Sequence, residues 1–366
     1  MKIICDKYLL SDALSVVSKA VSTKSAIPVL EGILLRAEAG KLELTGYDLE
    51  IGIVTSIEAR TFEDGDVVLS AKLLGDMVRR LDSEEVEIES LENLSTTIKG
   101  GITEFTIMGM NPSDFPDMPS FGLDHAINIE GQTLKDMIDT TIYAVSQDDK
   151  KPAHTGELFV LEKDKLTLVA LDGFRMAVCE RPVKSNREIR IIVPAKTMQE
   201  VSRIIDNEEG EISVSANRHY IIFKNEQYTV ISRLIEGAFL DYQRNIPDSY
   251  KTRVVVDVKE FISSIERASL VITERLHEPL RILFSNNITL NCKTAIGTVC
   301  DVIDADITGD AVEIGFNNRF LLDALRNSKC ERVVMEMTGP ISAIKIIPEE
   351  GDKFIYLVLL LRLKNN

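Results

Sequence analysis

Two pairs of neighbouring acids in this chain could support metal-assisted hydrolysis, Asp148-Asp149 and Glu208-Glu209. Adjacent carboxylates can hold a divalent cation that activates a water molecule. Both pairs lie in polar stretches, where neighbouring acids are more often plain solvated charge. The four histidines lack metal-ligand spacing, and the motifs of serine hydrolases, P-loop proteins and dinucleotide-binding enzymes are absent. The sequence therefore indicates no enzyme, cofactor or metal site, with a nuclease that uses the paired acids kept as an alternative.

A different set of polar residues recurs three times with the same order of charges. In each set a basic residue is followed by an acid four positions later and by an arginine three positions after that, so all three side chains share one helical face. The sets are Lys72-Asp76-Arg79, Lys196-Glu200-Arg203 and Arg319-Asp323-Arg326. One such face is typical of a solvated helix with weak internal ion pairs. Three copies favour a shared role in binding.

The basic residues of the chain are concentrated in its predicted helices. The formal net charge is −16, which by itself disfavours nucleic acid as a partner. The helical segments together are mildly basic, however, so the strands and loops hold the acidic excess. This segregation suits a protein that repels DNA from its outside and receives it on an inner surface. Because tryptophan is absent, we expect loose, sequence-independent attraction to duplex backbone instead of base stacking.

The helices that carry the charged sets belong to a unit that occurs three times along the chain. A strand, an Asp-Gly turn and a second strand occupy 166–179, a strong hairpin signal. The stretch 41–48 matches it 124 residues earlier, with Asp48 falling on Asp172, and 288–292 is a weaker copy. Each copy is expected to contain two helices. These are 7–21 and 71–81, then 132–146 and 195–205, then 258–271 and 318–328.

A repeat of this length predicts three similar domains, which we bound at 1–123, 124–250 and 251–366. Neither boundary lies in a long Gly/Ser linker, so the domains are expected to pack end to end. Strands come in runs, without β-α-β alternation. The fold class is therefore predicted to be α+β, with two helices in each domain packed on antiparallel sheets.

The composition is that of a globular protein. The chain has 366 residues, 45% of them hydrophobic, which is enough for three buried cores. Five scattered cysteines indicate reduced thiols and no disulfide framework. No apolar run is long enough to span a bilayer, and the first residues do not resemble a secretory signal. We therefore predict a cytoplasmic protein without a membrane partner.

With three α+β copies of this kind, the sequence resembles the bacterial DNA polymerase III beta subunits, the family of DNA sliding clamps. The resemblance covers the whole chain. Its most specific motifs are Ala26-Ile27-Pro28-Val29-Leu30, Leu44-Thr45-Gly46-Tyr47-Asp48-Leu49-Glu50, Ala170-Leu171-Asp172-Gly173-Phe174-Arg175 and Phe239-Leu240-Asp241-Tyr242. The resemblance implies the DNA clamp fold, a head-to-tail homodimeric ring lined by helices, and a non-catalytic processivity factor without cofactors.

The resemblance also implies where the ring contacts DNA and where its subunits meet. Lys24 and the loop 148–151 occupy positions that touch DNA in the family, and the charged sets fall on the inner wall. The expected DNA-binding residues are Lys24, Lys72, Arg79, Arg80, Lys150, Lys151, Lys196, Arg203, Arg319 and Arg326. At the seam, Phe105 and Ile107 would meet the partner subunit's Leu270 and the partner subunit's Val271.

The family's peptide pocket lies between the second and third domains. Its positions here are His154, Leu171, Gly173, Phe174, Arg175, Met176, Leu240, Asn245, Leu357, Leu359 and Leu360. Taken alone, most of these residues would be ordinary core. Leu240 and Leu360 stand where the family commonly has proline, and Asn245 and His154 where it has an apolar residue. The tail 364–366 runs past the family's usual end.

The implied partners are a second copy of the chain, double-stranded DNA, the polymerase catalytic subunit, the clamp loader and other proteins with a clamp-binding motif. ATP would be hydrolysed by the loader. Two further alternatives are a clamp-like factor specialised for repair, which would differ in the pocket, and a repeat scaffold that binds proteins without DNA. The scaffold predicts that reversing the helix charges leaves DNA loading unchanged.

Overall fold

The computed structural model describes residues 1–123, 126–185, 187–205, 210–272, 279–340, 342–361 and 363. The acid pair Glu208-Glu209, the predicted start of the second domain at Asp124 and the tail 364–366 lie outside this part of the chain. The chain forms two compact units. One consists of Met1–Gln132 with Gln199–Leu234, and the other of Thr133–Met198 with Ile235–Asn366. The predicted central copy therefore contributes residues to both units.

Six α-helices occur among the described residues, two in each predicted copy. They are α1 (Lys7–Val17), α2 (Ala71–Arg80), α3 (Gly131–Thr141), α4 (Ala195–Ile205), α5 (Val258–Ser269) and α6 (Asn318–Ser328). Several begin at a side-chain cap: Asp6, Ser70, Asp257 and Asn317 each accept a hydrogen bond from a backbone N–H of the first turn. Such a cap stabilises a helix by about 1 kcal/mol.

The first helix of copies one and two is shorter than the sequence predicts. Each α-helix gives way to a single 3₁₀ turn. At these ends the Ser18 hydroxyl donates to the Leu14 carbonyl, and the Thr141 hydroxyl donates to the Met137 carbonyl. A hydroxyl bonded in this way competes for a carbonyl of the helical ladder. The apolar periodicity continues to residues 21 and 146. It therefore does not indicate where a side-chain hydroxyl ends the α-helix.

The strands account for most of the remaining chain. They are β1 (Lys2–Asp6), β2 (Gly32–Glu38), β3 (Lys41–Tyr47), β4 (Ile51–Glu63), β5 (Gly65–Ser70), β6 (Glu85–Ser90), β7 (Ser95–Gly100), β8 (Thr103–Met108), β9 (Ile127–Glu130), β10 (Gly156–Glu162), β11 (Lys165–Leu171), β12 (Arg175–Pro182), β13 (Ile189–Pro194), β14 (Glu211–Ala216), β15 (Tyr220–Lys224), β16 (Tyr228–Arg233), β17 (Thr252–Asp257), β18 (Leu280–Phe284), β19 (Ile288–Lys293), β20 (Thr298–Ile303), β21 (Asp306–Gly309), β22 (Val312–Phe316), β23 (Arg332–Met337), β24 (Ile344–Pro348) and β25 (Ile355–Val358).

The strands pair antiparallel in both units, which confirms the predicted α+β class. In the first unit the sheet runs β8-β7-β6-β1-β4-β16-β15-β14-β9, with β2, β3 and β5 branching from it. In the second unit one sheet runs β13-β10-β11-β12-β25-β24-β23-β17-β21 and a smaller one runs β20-β19-β18-β22. Pairing of β4 with β16, and of β12 with β25, joins strands of neighbouring copies within each unit.

None of the described helices combines the length and the apolar character needed to cross a bilayer.

Candidate interaction sites

Helices α2, α4 and α6 present their basic residues on one side and bury the other. The buried faces include Leu74 and Val78 in α2, Met198 and Val201 in α4, and Leu321 and Leu325 in α6. The predicted contact residues Lys72, Arg79, Arg80, Lys196, Arg203, Arg319 and Arg326 are all exposed. The spacing of the charged sets thus correctly predicts three solvent-facing basic stripes.

The acids of the first two charged sets neutralise part of their own stripes. Asp76 pairs with Arg79, and Glu200 pairs with Arg203, each across one helical turn. Among the described residues, Lys72 and Arg319 have no ion-pair partner. The arginine of each pair is exposed, and ion pairs that reach solvent in this way contribute little to stability. The stripes are therefore suited to loose attraction of a polyanion and poorly suited to clamping it.

The third charged set departs from this pattern. Its acid, Asp323, pairs with Arg175 of β12, and its last arginine, Arg326, pairs with Glu266 on α5. Asp323 therefore pairs with a residue outside its own helix, unlike Asp76 and Glu200, a placement that helical spacing alone does not indicate.

The remaining predicted DNA-contact residues lie in loops. Lys24, Lys150 and Lys151 are exposed. In the second loop, Asp148 Oδ1 accepts a hydrogen bond from the Lys150 N–H, so one acid of the candidate metal pair helps to shape a turn. Within the described ranges, no three His, Cys, Asp or Glu side chains converge as a metal site would require.

Sequence reasoning missed one feature of α1. Tyr8 is 78% exposed, and it lines a recess of about 200 Å³ with Ser11, Asp12, Ser15 and Arg79. The three hydroxyl residues follow helical spacing, and this signal could have identified the recess because all three must then share one face. The basic stripe of α2 thus borders a row of hydroxyl groups.

The turn between β11 and β12 positions the most exposed large hydrophobic residue of the predicted pocket. Asp172 Oδ1 accepts hydrogen bonds from the Phe174 N–H at 2.8 Å and the Arg175 N–H at 2.9 Å. Gly173 has φ +92°, in the left-handed region that glycine occupies readily. Phe174 is 56% exposed at the tip, and its ring stacks on that of Phe320 with centroids 5.8 Å apart.

Nine of the eleven residues predicted for the pocket surround one apolar concavity of about 120 Å³. They are Leu171, Gly173, Phe174, Arg175, Met176, Leu240, Asn245, Leu357 and Leu359. The concavity is built where β12 pairs with β25, so Met176 lies opposite Leu357. Its shape and lining suit one or two apolar side chains of a bound segment.

The other two predicted pocket residues do not line this concavity. His154 lies edge-on to Phe239, with ring centroids 5.9 Å apart. Burial, and then the nearby charge of Lys151, lower the pKa of His154, so the neutral ring is favoured. Leu360 packs instead against the core of the third copy.

The four predicted seam residues lie on or beside sheet edges. In the first unit, Phe105 and Ile107 are half-buried on β8, which ends its sheet. In the second unit, Leu270 is 82% exposed and Val271 is half-buried, and the neighbouring β20 also ends its sheet. An edge strand with exposed apolar neighbours is a template for pairing with another chain.

A larger cleft of about 510 Å³ lies elsewhere in the second unit and matches no predicted site. Its charged residues balance: Lys165, Arg181, Lys329 and Lys353 stand with Asp136, Asp164, Glu180 and Asp352. Arg181 also donates to the Lys353 carbonyl, which ties the cleft wall together. Because the charged residues that line the cleft balance, we assign no ligand to it.

Three models of known protein families match the chain in succession. Residues 1–119 match the N-terminal domain of the DNA polymerase III beta subunit, residues 128–241 match its central domain, and residues 243–362 match its C-terminal domain.

Curated proteins and solved structures give the same result. The chain is 30% identical to the beta sliding clamp of Halalkalibacterium halodurans, with 98% of each chain covered. The DNA polymerase sliding clamp of Bacillus subtilis has a TM-score of 0.96 at 28% identity and full coverage of both chains. A DNA polymerase III beta subunit structure from Eubacterium rectale has a TM-score of 0.94 at 35% identity, with 99% of each chain covered. A Pseudomonas aeruginosa sliding clamp bound to griselimycin has a TM-score of 0.94 at 26% identity, covering 99% of this chain and all of that one.

Proposed function

Because the chain belongs to the DNA polymerase III beta subunit family, the beta sliding clamps, we propose that it is the processivity clamp of a replicative DNA polymerase. The observation that carries this proposal is the match of three consecutive clamp domains along 1–362. The exposed basic stripes of α2, α4 and α6 support it, since they supply the weak, sequence-blind attraction that a sliding protein needs.

The clamp works as a homodimeric ring around duplex DNA, with three domains per subunit bounded near residues 123 and 250. A separate loader opens the ring with ATP and closes it on DNA. Processivity then comes from topology, so the DNA contacts of Lys24, Lys150, Lys151 and the three stripes need not be tight. This division explains why Asp76 and Glu200 can neutralise their own arginines without loss of function.

The ring closes where β8 of one subunit pairs with β20 of the other. Both strands have six residues and end their sheets. Phe105 and Ile107 then pack against the partner subunit's Leu270 and the partner subunit's Val271. This arrangement satisfies two rows of edge backbone groups and covers Leu270.

The apolar concavity binds a short segment of the polymerase catalytic subunit, the loader or other clamp-binding proteins. Its buried apolar floor supplies the binding energy, and the exposed Phe174 covers the bound segment. The clamp itself performs no catalysis and acts in the cytoplasm.

A clamp specialised for another partner set is the second candidate. It is favoured by Leu240, which is 47% exposed at the concavity, and by Asn245, whose side-chain amide donates to the Asp241 carbonyl. These two residues give the rim a shape and polarity of its own. The ring and its seam would be the same in both cases.

The test is retention on singly nicked circular DNA after loading with the matching loader and ATP. We expect the protein to stay on circles at moderate salt and to leave once the circle is linearised. Equal retention on circular and linear DNA would mean ordinary electrostatic binding, and the clamp proposal would have to be abandoned.

A further inference from the structure

The edge strand of the first unit carries exposed apolar side chains at both of its ends. β8 is the last strand of its sheet, and Ile102, in the turn just before it, is fully exposed. Half-buried and exposed residues alternate along β8, and its last residue, Met108, is 69% exposed. The outward face of this edge therefore presents an isoleucine and a methionine to solvent.

The edge strand β20 of the second unit follows the same plan. It ends the small sheet, and the turn before it holds Ile296, which is 64% exposed. Exposed and half-buried residues alternate as far as Val302, which is 50% exposed near the end of the strand. The free thiol of Cys300 is exposed on the same face. Exposed apolar residues gathered on a sheet edge are typical of a surface that another protein chain covers.

The two strands offer no opposite charges to each other. Glu104 is the charged residue of β8, and Asp301 is that of β20. Within its own unit, Asp301 pairs with Arg267 of α5, and Glu104 lies opposite Lys99 of β7. A contact between these two strands therefore cannot rest on an ion pair between them. It must rest on backbone hydrogen bonds and on apolar burial.

We propose that β8 pairs antiparallel with β20 of the partner subunit in one particular register. Ile102 then lies opposite the partner subunit's Val302, Met108 lies opposite the partner subunit's Ile296, and Glu104 faces the partner subunit's Cys300. The seam is closed by apolar contacts at both ends and does not depend on ion pairs between the strands. This inference rests on the proposed seam of the clamp, to which it adds a register and a chemistry.

The exposure pattern selects this register. Residues opposite each other in a sheet share a face, so exposed residues must oppose exposed ones, and only shifts of two residues compete. A shift in one direction places Glu104 opposite the partner subunit's Val302, and a shift in the other places Ile102 opposite the partner subunit's Cys300. Either shift separates both apolar pairs. The described strand pairs of both units are antiparallel, and that pairing is the more stable one.

The register is tested by a disulfide scan of the full-length protein against the native Cys300. Ile102→Cys, Glu104→Cys and Thr106→Cys are oxidised with copper phenanthroline and compared on non-reducing gels. Glu104→Cys should cross-link about fivefold faster than the other two. Residues directly opposite have Cα atoms about 5 Å apart, within disulfide range, and residues two positions further along lie about 7–8 Å away. Glu104→Cys combined with Cys300→Ser is the control and should give no cross-linked dimer.

The apolar closure is tested by the salt dependence of the dimer. Its dissociation constant, measured by sedimentation equilibrium, should change less than about threefold between about 0.1 M and about 1 M NaCl, because salt screens charges and leaves apolar burial in place. Ile102→Ser should raise the constant about tenfold at both salt concentrations. Phe62→Ser is the matched control, because Phe62 is 60% exposed on β4, inside the sheet, and should leave the constant unchanged.

The outcomes separate the inference from the seam on which it rests. Faster cross-linking of Ile102→Cys or Thr106→Cys would shift the register by two residues and overturn the inference, while the seam would stand. A dissociation constant that rises more than about tenfold with salt would also overturn it, since closure would then depend on charge. If no cysteine variant cross-links although the wild-type protein sediments as a dimer, the proposed seam is wrong and the inference fails with it.

Discussion

Leu49 and Gly173 occupy the same place in two copies of one turn, and both have positive φ, +75° for Leu49 and +92° for Gly173. In each turn the preceding aspartate makes the same bonds: Asp48 Oδ1 accepts from the Glu50 and Ile51 N–H groups as Asp172 Oδ1 accepts from the corresponding two. The aspartate therefore defines the turn, and glycine only relieves its strain.

This relationship predicts opposite effects of two substitutions. Gly173→Ala should destabilise its unit by about 1 kcal/mol, because a residue with a Cβ is strained at positive φ. No atom lies within 4 Å of the added Cβ, so the cost is confined to the backbone. Leu49→Gly should relieve the same strain and be neutral or stabilising. Thermal midpoints measure both, and a midpoint raised by Gly173→Ala would contradict the argument.

The burial of Glu157 predicts that the stability of the folded protein depends on pH. It is fully buried at the start of β10, where the equivalent residues of the other copies are Ile33 and Leu280. Burial raises its pKa to about 8, although a hydrogen bond with Thr141 acts in the opposite direction. Its second carboxylate oxygen has no hydrogen-bond partner among the described residues.

The pKa of Glu157 is higher in the folded protein than in the unfolded chain, so the folded protein favours the protonated form. Its stability is therefore greatest below the ordinary glutamate pKa and declines as pH rises through about 8. The free energy of unfolding falls by at most about 1.4 kcal/mol for each pH unit in this range. Glu157→Gln should remove this decline, so the thermal midpoint of the variant should exceed the wild-type midpoint increasingly from pH 5 to about pH 8, and the difference should then level off. Parallel curves would contradict the assignment.

The proposed contact between subunits predicts that a charged residue at position 105 makes the protein monomeric. Phe105→Arg places a charge at the half-buried edge of β8, where the proposed dimer would have to desolvate it. Sedimentation velocity should then show monomers. Thr106→Arg is the matched control, because Thr106 is exposed on the other face of the same strand. A stable dimer of the Phe105 variant would place the seam elsewhere.

The basic stripes predict a salt-dependent loading defect. Reversing Lys72, Lys196 and Arg319 to glutamate should slow loading onto nicked circles about tenfold at low salt, with a smaller effect as salt rises. The control reverses three exposed lysines of hairpin strands or turns, Lys41, Lys163 and Lys293. Equal loading by the two variants would favour the scaffold that binds proteins without DNA.

We expect Phe174→Ala to weaken peptide binding at the pocket and to leave the stability of the fold nearly unchanged. The ring is exposed at the turn and stacks only on Phe320 among the aromatic pairs described, so its removal should cost little stability. Affinity for a fluorescein-labelled peptide from the clamp-binding segment of the polymerase catalytic subunit should fall about tenfold, as expected when an aromatic anchor is truncated. Anisotropy titration measures it, and unchanged affinity would remove Phe174 from the site.

Much of the fold was predictable because the sequence pattern of one domain recurs three times along the chain. A single helix with Lys72, Asp76 and Arg79 is ambiguous, but repetition of the spacing separates a shared surface from chance. The α+β class followed from runs of strands without alternation. The ends of α1 and α3 were not predictable, since hydroxyl groups bonded to the helix backbone leave no mark on apolar periodicity.

The site was predictable only in part. Helical spacing places Asp323 on the basic stripe, but it cannot reveal that Arg175, 148 positions earlier, is its partner. That contact depends on the pairing of β12 with β25, which brings two copies together. His154 was assigned to the pocket by resemblance; in the structure its ring packs on Phe239 and it is not among the residues that line the concavity.

The sharing of sheets between neighbouring copies has a mechanical consequence. Five residue pairs join β4 to β16, and four join β12 to β25. Pulling neighbouring copies apart along these strands would load their backbone hydrogen bonds in shear, so that many must break together. Within each subunit such joints are stiff, and a load on the proposed ring would be relieved first at the seam. A loader would then need to apply force at only one place to open it.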